Sequence, residues 1–112
     1  MNLKSLNKYK SKKIKYDGFT FDSKKEFSRY QELKILLKSG KINDLKIHPK
    51  FLLIEKNYIF RKCEYNADFS YIKGGEYIVE DVKGMKNGAA YNLFKIKQKL
   101  MYDKYKIKVI EI

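Results

Sequence analysis

The chain has 112 residues, which is room for one domain, and 26 Lys and Arg against 13 Asp and Glu give it a formal net charge of +13. This charge indicates a polyanionic partner, and nucleic acid is a better candidate than a membrane surface, because the predicted helices are committed to a core. A single cysteine excludes an internal disulfide, and no apolar run approaches the ~18 residues that span a bilayer. We therefore expect an intracellular, cytoplasmic protein. Only two of the 26 cations are Arg, which favours contacts with the phosphate backbone over reading of base edges.

The N-terminal residues 1–16 carry many Lys and few strong hydrophobes, so we predict a mobile basic arm ahead of a single domain at 17–112. A turn follows at 16–19, and then a short extended piece at 19–21. The first helix begins after Ser23, which can cap it, and ends before Gly40.

The carboxylate of Glu26 lies in line with the apolar stripe of this helix. At ~100° per residue, Tyr30, Leu33 and Leu37 share its side of the helix. Such a position is unfavourable for an unpaired charge, so a site role is favoured. The alternative is a capping box, in which a Glu three residues after Ser23 only stabilises the helix start.

From Ile42 to Val82 the pattern changes to short runs with the period of a β-strand. The predicted strands are Leu45–Ile47, Lys50–Glu55, Tyr58–Arg61, Glu64–Ile72 and Glu76–Lys83. The Gly74-Gly75 pair predicts a tight hairpin between the last two.

A second helix is predicted over about 89–104, and residues 107–112 form a final strand. One face of this helix is apolar, and the opposite face carries a row of side chains suited to phosphate and sugar contacts: Tyr91, Lys95, Gln98 and Tyr102. A solvated surface with two exposed tyrosines is an equally good interpretation of this row. The order of elements is helix, several strands, helix, strand.

The candidate catalytic side chains lie on the hairpin around Gly74. Because strand side chains alternate, Asp81 and Lys83 point the same way, and Asp68 falls nearly opposite Asp81 across the hairpin. Asp-x-Lys alone would be read as a structural ion pair, but two facing carboxylates repel unless a cation or proton intervenes. Oxygen ligands of this kind suit Mg²⁺ or Mn²⁺, and Glu26 can add a third. Lys83 can then orient or deprotonate an attacking water.

Two further side chains are given structural roles at this stage. Glu80 faces away from Asp81 on a regular strand. His48 precedes Pro49 and has no partner histidine, so a turn or packing role is favoured over a catalytic one.

This constellation resembles the PD-(D/E)XK nuclease superfamily, and within it a group of small phage and prophage proteins of uncharacterised function. The resemblance covers roughly residues 8 to 112, and the matching stretches are Asp22-Ser23-Lys24-Lys25-Glu26, Arg29-Tyr30-Gln31-Glu32-Leu33, His48-Pro49-Lys50-Phe51, Ala67-Asp68-Phe69 and Val79-Glu80-Asp81-Val82-Lys83-Gly84. One departure is Ala67, which stands where the superfamily's name has Pro.

The resemblance implies an α/β (α+β) fold with a restriction-endonuclease-like αβββαβ core, in which two helices flank a mixed central sheet. It also implies site roles. Glu26, Asp68, Asp81 and the backbone carbonyl of Val82 would be metal ligands, and Lys83 would be the catalytic lysine.

The expected function is that of a phage-type, Mg²⁺-dependent DNA endonuclease, with Mn²⁺ able to substitute, that hydrolyses phosphodiester bonds as a homodimer. Structure-selective cleavage, such as resolution of Holliday junctions or branched DNA during phage DNA recombination, fits the Lys-dominated charge better than site-specific restriction does. The alternative is a non-catalytic DNA-binding or nuclease-inhibiting protein with the same fold. Such a protein would not need all of the site side chains together.

Overall fold

The computed structural model describes residues 12–112, so most of the predicted basic arm lies outside the described part. The arm's last residues, Ile14–Tyr16, instead form β1, which pairs antiparallel with β2 (Phe19–Phe21). The first helix, α1, covers Lys24–Lys38, and the second, α2, covers Ala89–Tyr105. The other strands are β3 (Asn43–Ile47), β4 (Lys50–Ile54), β5 (Cys63–Asn66), β6 (Phe69–Lys73), β7 (Glu76–Asp81) and β8 (Ile110–Glu111).

The central sheet has four strands in the order β3-β6-β7-β8. Its first three strands pair antiparallel, whereas β8 joins β7 in parallel after the chain has passed through α2. A parallel neighbour needs such a crossover, because a tight turn can only reverse the chain. The predicted α/β fold, a mixed sheet with two helices in the order αβββαβ, is therefore confirmed.

Each helix covers one face of this sheet. On the α1 face the buried cluster consists of Phe21, Tyr30, Leu33, Ile42, Phe69 and Tyr71. On the α2 face it consists of Leu53, Tyr65, Ala67, Val79, Phe94, Met101 and Val109. Since side chains alternate along a strand, Glu80 points towards α1 whereas its neighbours Val79 and Asp81 point towards α2. The side chains of Glu80 and Asp81 therefore lie on opposite faces of the sheet.

The turn signals are where the sequence predicted them. Ser23 is the N-cap of α1, and Gly40 follows its end with φ +77°. Gly74 and Gly75 join β6 to β7 with φ +57° and +82°. Two consecutive positive φ values suit a hairpin turn that glycine adopts without strain.

Two predicted strands were wrong. The stretch Glu64–Ile72 is two strands in different sheets, because β5 pairs with β4 whereas β6 pairs with β3. The stretch Tyr58–Arg61 is not a strand, since the Asn57 side chain accepts hydrogen bonds from the amides of Ile59 and Phe60 and closes a turn. In addition, the last strand is confined to Ile110–Glu111.

No helix among residues 12–112 is long and apolar enough to cross a membrane.

Candidate metal centre

The site lies where β6 begins and β7 ends, at one end of their pairing. The register pairs Phe69 with Glu80, so the next position brings Asp68 opposite Asp81. The Asp68 amide donates a hydrogen bond to the Glu80 carbonyl at 3.2 Å, which continues the ladder by one step. The two carboxylates face each other, as the spacing around Gly74-Gly75 predicts.

The Asp68 carboxyl is partly buried and lies next to that of Asp81. Burial, followed by its contact with Asp81, raises the pKa of Asp68 to about 8. The amide of Val82 opposes this shift by donating a hydrogen bond to Asp68 Oδ2 at 2.7 Å. Two facing carboxyl groups favour a proton or a cation between them, because two adjacent negative charges repel.

Asp81 is buried and held from two sides. The hydroxyl of Tyr65 donates a hydrogen bond to Asp81 Oδ2, and Lys83 Nζ lies 3.3 Å from Oδ1. Burial and the adjacent Asp81 raise the pKa of the Tyr65 hydroxyl, so it stays a donor. The Lys83 ammonium also lies 4.1 Å from the centre of the Phe94 ring. Asp81 and Lys83 therefore point the same way, as predicted.

Glu26 caps α1 and faces the centre at the same time. Its amide donates to Ser23 Oγ at 3.1 Å, which is half of the predicted capping box. Its Oε2 accepts from the amide of Asp22 at 2.9 Å, one residue earlier than in a standard box. The other oxygen, Oε1, lies 2.8 Å from His48 Nε2, and only 3% of Glu26 is exposed. One Glu26 oxygen therefore accepts from the helix start while the other faces the candidate site.

His48 lies next to two of these carboxylates, a placement that the sequence analysis did not predict. It lies between β3 and β4, and its amide donates to the Asp68 carbonyl at 2.9 Å. Glu26, His48 and Asp68 each offer an atom that lies within 4.8 Å of the others. The available signal was its position in the His48-Pro49 junction between two predicted strands. What brings it to Asp68, however, is the pairing of β3 with β6, which the chain order alone does not reveal.

Two cavities open onto these groups, and Asn66 lines both. The first, of about 200 Å³, is bordered by Tyr65, Asp81, Lys83 and Lys97. The second, of about 400 Å³, is bordered by Lys13, His48, Lys50 and Asp68. Each cavity thus combines carboxylate with ammonium groups, an arrangement that suits a phosphate bound beside a cation.

Glu80, by contrast, has no part in this centre. It is buried on the α1 face, where Arg29 and the hydroxyl of Tyr71 donate hydrogen bonds to its carboxylate. Glu80 therefore faces away from Asp81, as predicted.

The predicted nucleic-acid row lies on another side of α2. Tyr91 and Lys95 contact Glu111, and Gln98 donates to the Val109 carbonyl, whereas Tyr102 is 57% exposed. The cavity beside Asp81 is instead bordered by α2 residues of a different row: Ala90, Leu93, Phe94 and Lys97. At 100° per residue the two rows are roughly 120° apart, and the predicted row does not line the cavity. Whether it binds nucleic acid stays a prediction.

Comparison with known families adds one result. Residues 6–111 match a family described as a protein of unknown function, DUF1064. The chain belongs to the DUF1064 family. No curated protein and no solved structure shows significant similarity to this DUF1064 chain.

Proposed function

We propose that this DUF1064 chain is a phage-type, metal-dependent DNA endonuclease of the PD-(D/E)XK kind. The observation that supports the proposal is the position of Asp68, which has a ligand atom within 4.8 Å of one on Glu26 and also faces Asp81. Lys83 Nζ lies 3.3 Å from Asp81 Oδ1. Acidic groups from a helix, from a strand and from the segment between β5 and β6 would not be brought to one end of the sheet for packing alone, because burying charges is costly.

The donor set suits a divalent cation. Asp68 and Asp81 face each other, and the pKa of Asp68 is raised by burial and by its neighbour, so a cation would relieve the repulsion between them. Carboxylate oxygens with room left for water and phosphate are the ligands of Mg²⁺ and Mn²⁺. We assign Glu26, Asp68, Asp81 and the carbonyl of Val82 as the residues that would hold it.

When bound, such a cation polarises the phosphodiester and lowers the pKa of a water molecule. The protein's own groups would do the rest. The Lys83 ammonium would orient the attacking water and balance the negative charge that develops on the phosphoryl oxygens. Tyr65 fixes Asp81 by its hydrogen bond, and Lys50 and Lys97 bind the phosphates on either side from the two cavities.

The substrate class follows from charge. The net charge of +13, carried by 24 Lys and two Arg, supports binding to DNA backbone and favours structure-selective cleavage of branched DNA, such as a Holliday junction. A duplex or junction has two strands to cut, so we propose a homodimer. The Tyr91, Lys95, Gln98 and Tyr102 row is its proposed additional DNA contact. We propose an intracellular location, where DNA is found and a free Cys63 stays reduced.

The test is incubation of the full chain with supercoiled, single-stranded, flap and four-way-junction DNA in Mg²⁺, Mn²⁺ or EDTA. We expect cleavage that needs the cation and is fastest on the branched substrates. Tight DNA binding without cleavage in either cation would contradict the proposal and support the non-catalytic or nuclease-inhibiting alternative.

A further inference from the structure

His48 is the chain's single histidine, and its Nε2 lies 2.8 Å from Glu26 Oε1. We propose that His48 is itself a ligand of the cation, through Nε2, together with Glu26 and Asp68, and that it makes the centre prefer Mn²⁺ over Mg²⁺. The inference rests on the metal-dependent function proposed above and names the cation that this function would use.

The backbone around His48 is built to hold the imidazole in place. Its φ is +55°, a conformation that side-chain-bearing residues adopt at a cost. Two hydrogen bonds maintain it, from the His48 amide to the Asp68 carbonyl and from the Ala67 amide to the Pro49 carbonyl. The imidazole therefore belongs to the same rigid segment as the Asp68 carboxylate.

The imidazole is also accessible to an incoming ion. The His48 side chain is 39% exposed and borders the cavity of about 400 Å³ that Asp68 also borders. A histidine that served only to support Glu26 would not need this access. Ligand atoms on neighbouring corners of an octahedron around such a cation are roughly 3 Å apart, which is close to the 2.8 Å between Nε2 and Oε1.

The imidazole ligand determines which of the two cations binds more tightly. Mg²⁺ is a hard ion that prefers oxygen ligands and gives up its waters reluctantly. Imidazole nitrogen is better suited to first-row transition metals, and among these Mn²⁺ also accepts carboxylate and water oxygens. An imidazole added to the oxygen ligands of this centre therefore favours Mn²⁺ over Mg²⁺.

The decisive experiment uses tag-free full chain, so that His48 is the sole imidazole present. Mn²⁺ is bound in the absence of DNA, and pulsed electron paramagnetic resonance records the nitrogen couplings. We expect a ¹⁴N coupling that changes to the ¹⁵N pattern when the protein is labelled with ¹⁵N-histidine. This measurement does not depend on the folding of any variant.

His48→Asn gives the matching thermodynamic test, because Asn tolerates the positive φ. We expect Mn²⁺ affinity to fall by about tenfold or more and Mg²⁺ affinity to change by less than about threefold. Asp44→Asn is the control, since Asp44 also has a positive φ of +53° but lies outside the site, and it should change neither affinity.

Mn²⁺ binding without a histidine nitrogen coupling, or an equal loss for both cations in His48→Asn, would overturn this inference while leaving the nuclease proposal intact. Binding of neither cation by the wild-type chain would overturn both.

Discussion

Arg29 donates two hydrogen bonds to the carboxylate of Glu80, from Nε at 2.8 Å and from Nη2 at 2.6 Å. Glu80 is 1% exposed, and the Tyr71 hydroxyl donates a third bond to it. The bond to Glu80 raises the pKa of the Arg29 guanidinium further above its already high value. This pair connects α1 to β7 immediately beside Asp81, so it positions the two elements that carry Glu26 and Asp81.

Removing Arg29 should therefore be strongly destabilising. In Arg29→Met the Glu80 charge is left buried with a single tyrosine partner, and we expect a loss of about 3–5 kcal/mol in the free energy of unfolding. Urea denaturation measures this loss. Glu32→Gln is the control, because Glu32 also contacts Arg29, at 2.8 Å, but its side chain is 62% exposed. That variant should lose less than about 1 kcal/mol. Similar losses in the two variants would contradict the assignment.

The stability of the metal-free protein should depend on pH through Asp68. The folded-state pKa is about 8 against an ordinary value of 3.8, so between these values the folded protein holds a proton that the unfolded chain has released. Stability is therefore expected to fall as pH rises across this interval and to level off above it. Urea denaturation in EDTA from pH 5 to 9 measures the slope. Asp68→Asn, which can still accept from the Val82 amide, should flatten it, and an unchanged slope would contradict the raised pKa.

Capping and site chemistry at Glu26 can be separated by two substitutions. Glu26→Gln keeps an oxygen for the Asp22 amide but loses the charge, so we expect nearly unchanged thermal stability and cleavage lowered by about 100-fold or more. Ser23→Ala removes the N-cap oxygen, so it should lose about 1 kcal/mol of stability and cut normally. Melting temperatures and cleavage rates of both variants make the comparison. Normal cleavage by Glu26→Gln would reduce this residue to a cap.

The DNA-binding surface can be mapped by the salt dependence of affinity. Each neutralised phosphate contributes about −0.9 to the slope of log K against log salt. We expect Lys95→Ala and Lys97→Ala each to reduce the magnitude of this slope by about 0.9, which is the contribution of one phosphate contact. Only Lys97→Ala should also slow cleavage at saturating DNA, because Lys97 borders the cavity that holds Asp81. An unchanged slope in Lys95→Ala would remove the Tyr91, Lys95, Gln98 and Tyr102 row from the interface.

The sequence predicted those parts of the centre that depend on local rules. Ser23 and Gly40 mark the ends of α1, and the Gly74-Gly75 turn fixes the register that brings Asp68 opposite Asp81. These features follow from capping preferences and from the period of a strand, both of which act within a few residues.

Features that depend on strand partners were not predictable in this way. The chain leaves the β4–β5 pair and enters the central sheet at Ala67 and Asp68, within what reads as one strand. The same rearrangement places His48 beside Glu26, 22 residues away. Similarly, the sequence of α2 did not indicate the partners of its polar face. Tyr91 and Lys95 contact Glu111, and Gln98 donates to the Val109 carbonyl.

The most direct test of the account is cleavage of a four-way junction by Asp81→Asn and Lys83→Met, purified and assayed in parallel with the wild-type chain in Mn²⁺ and in Mg²⁺. Asn at 81 can still accept the Tyr65 hydrogen bond, and Met at 83 keeps an apolar stem against Phe94, so both variants should fold and bind DNA. We predict that both lose cleavage by at least about 100-fold while DNA affinity stays within about threefold. Identical purification also shows whether any activity comes from a contaminating nuclease. Near-normal cleavage by both variants would contradict the assignment of this centre as the nuclease site.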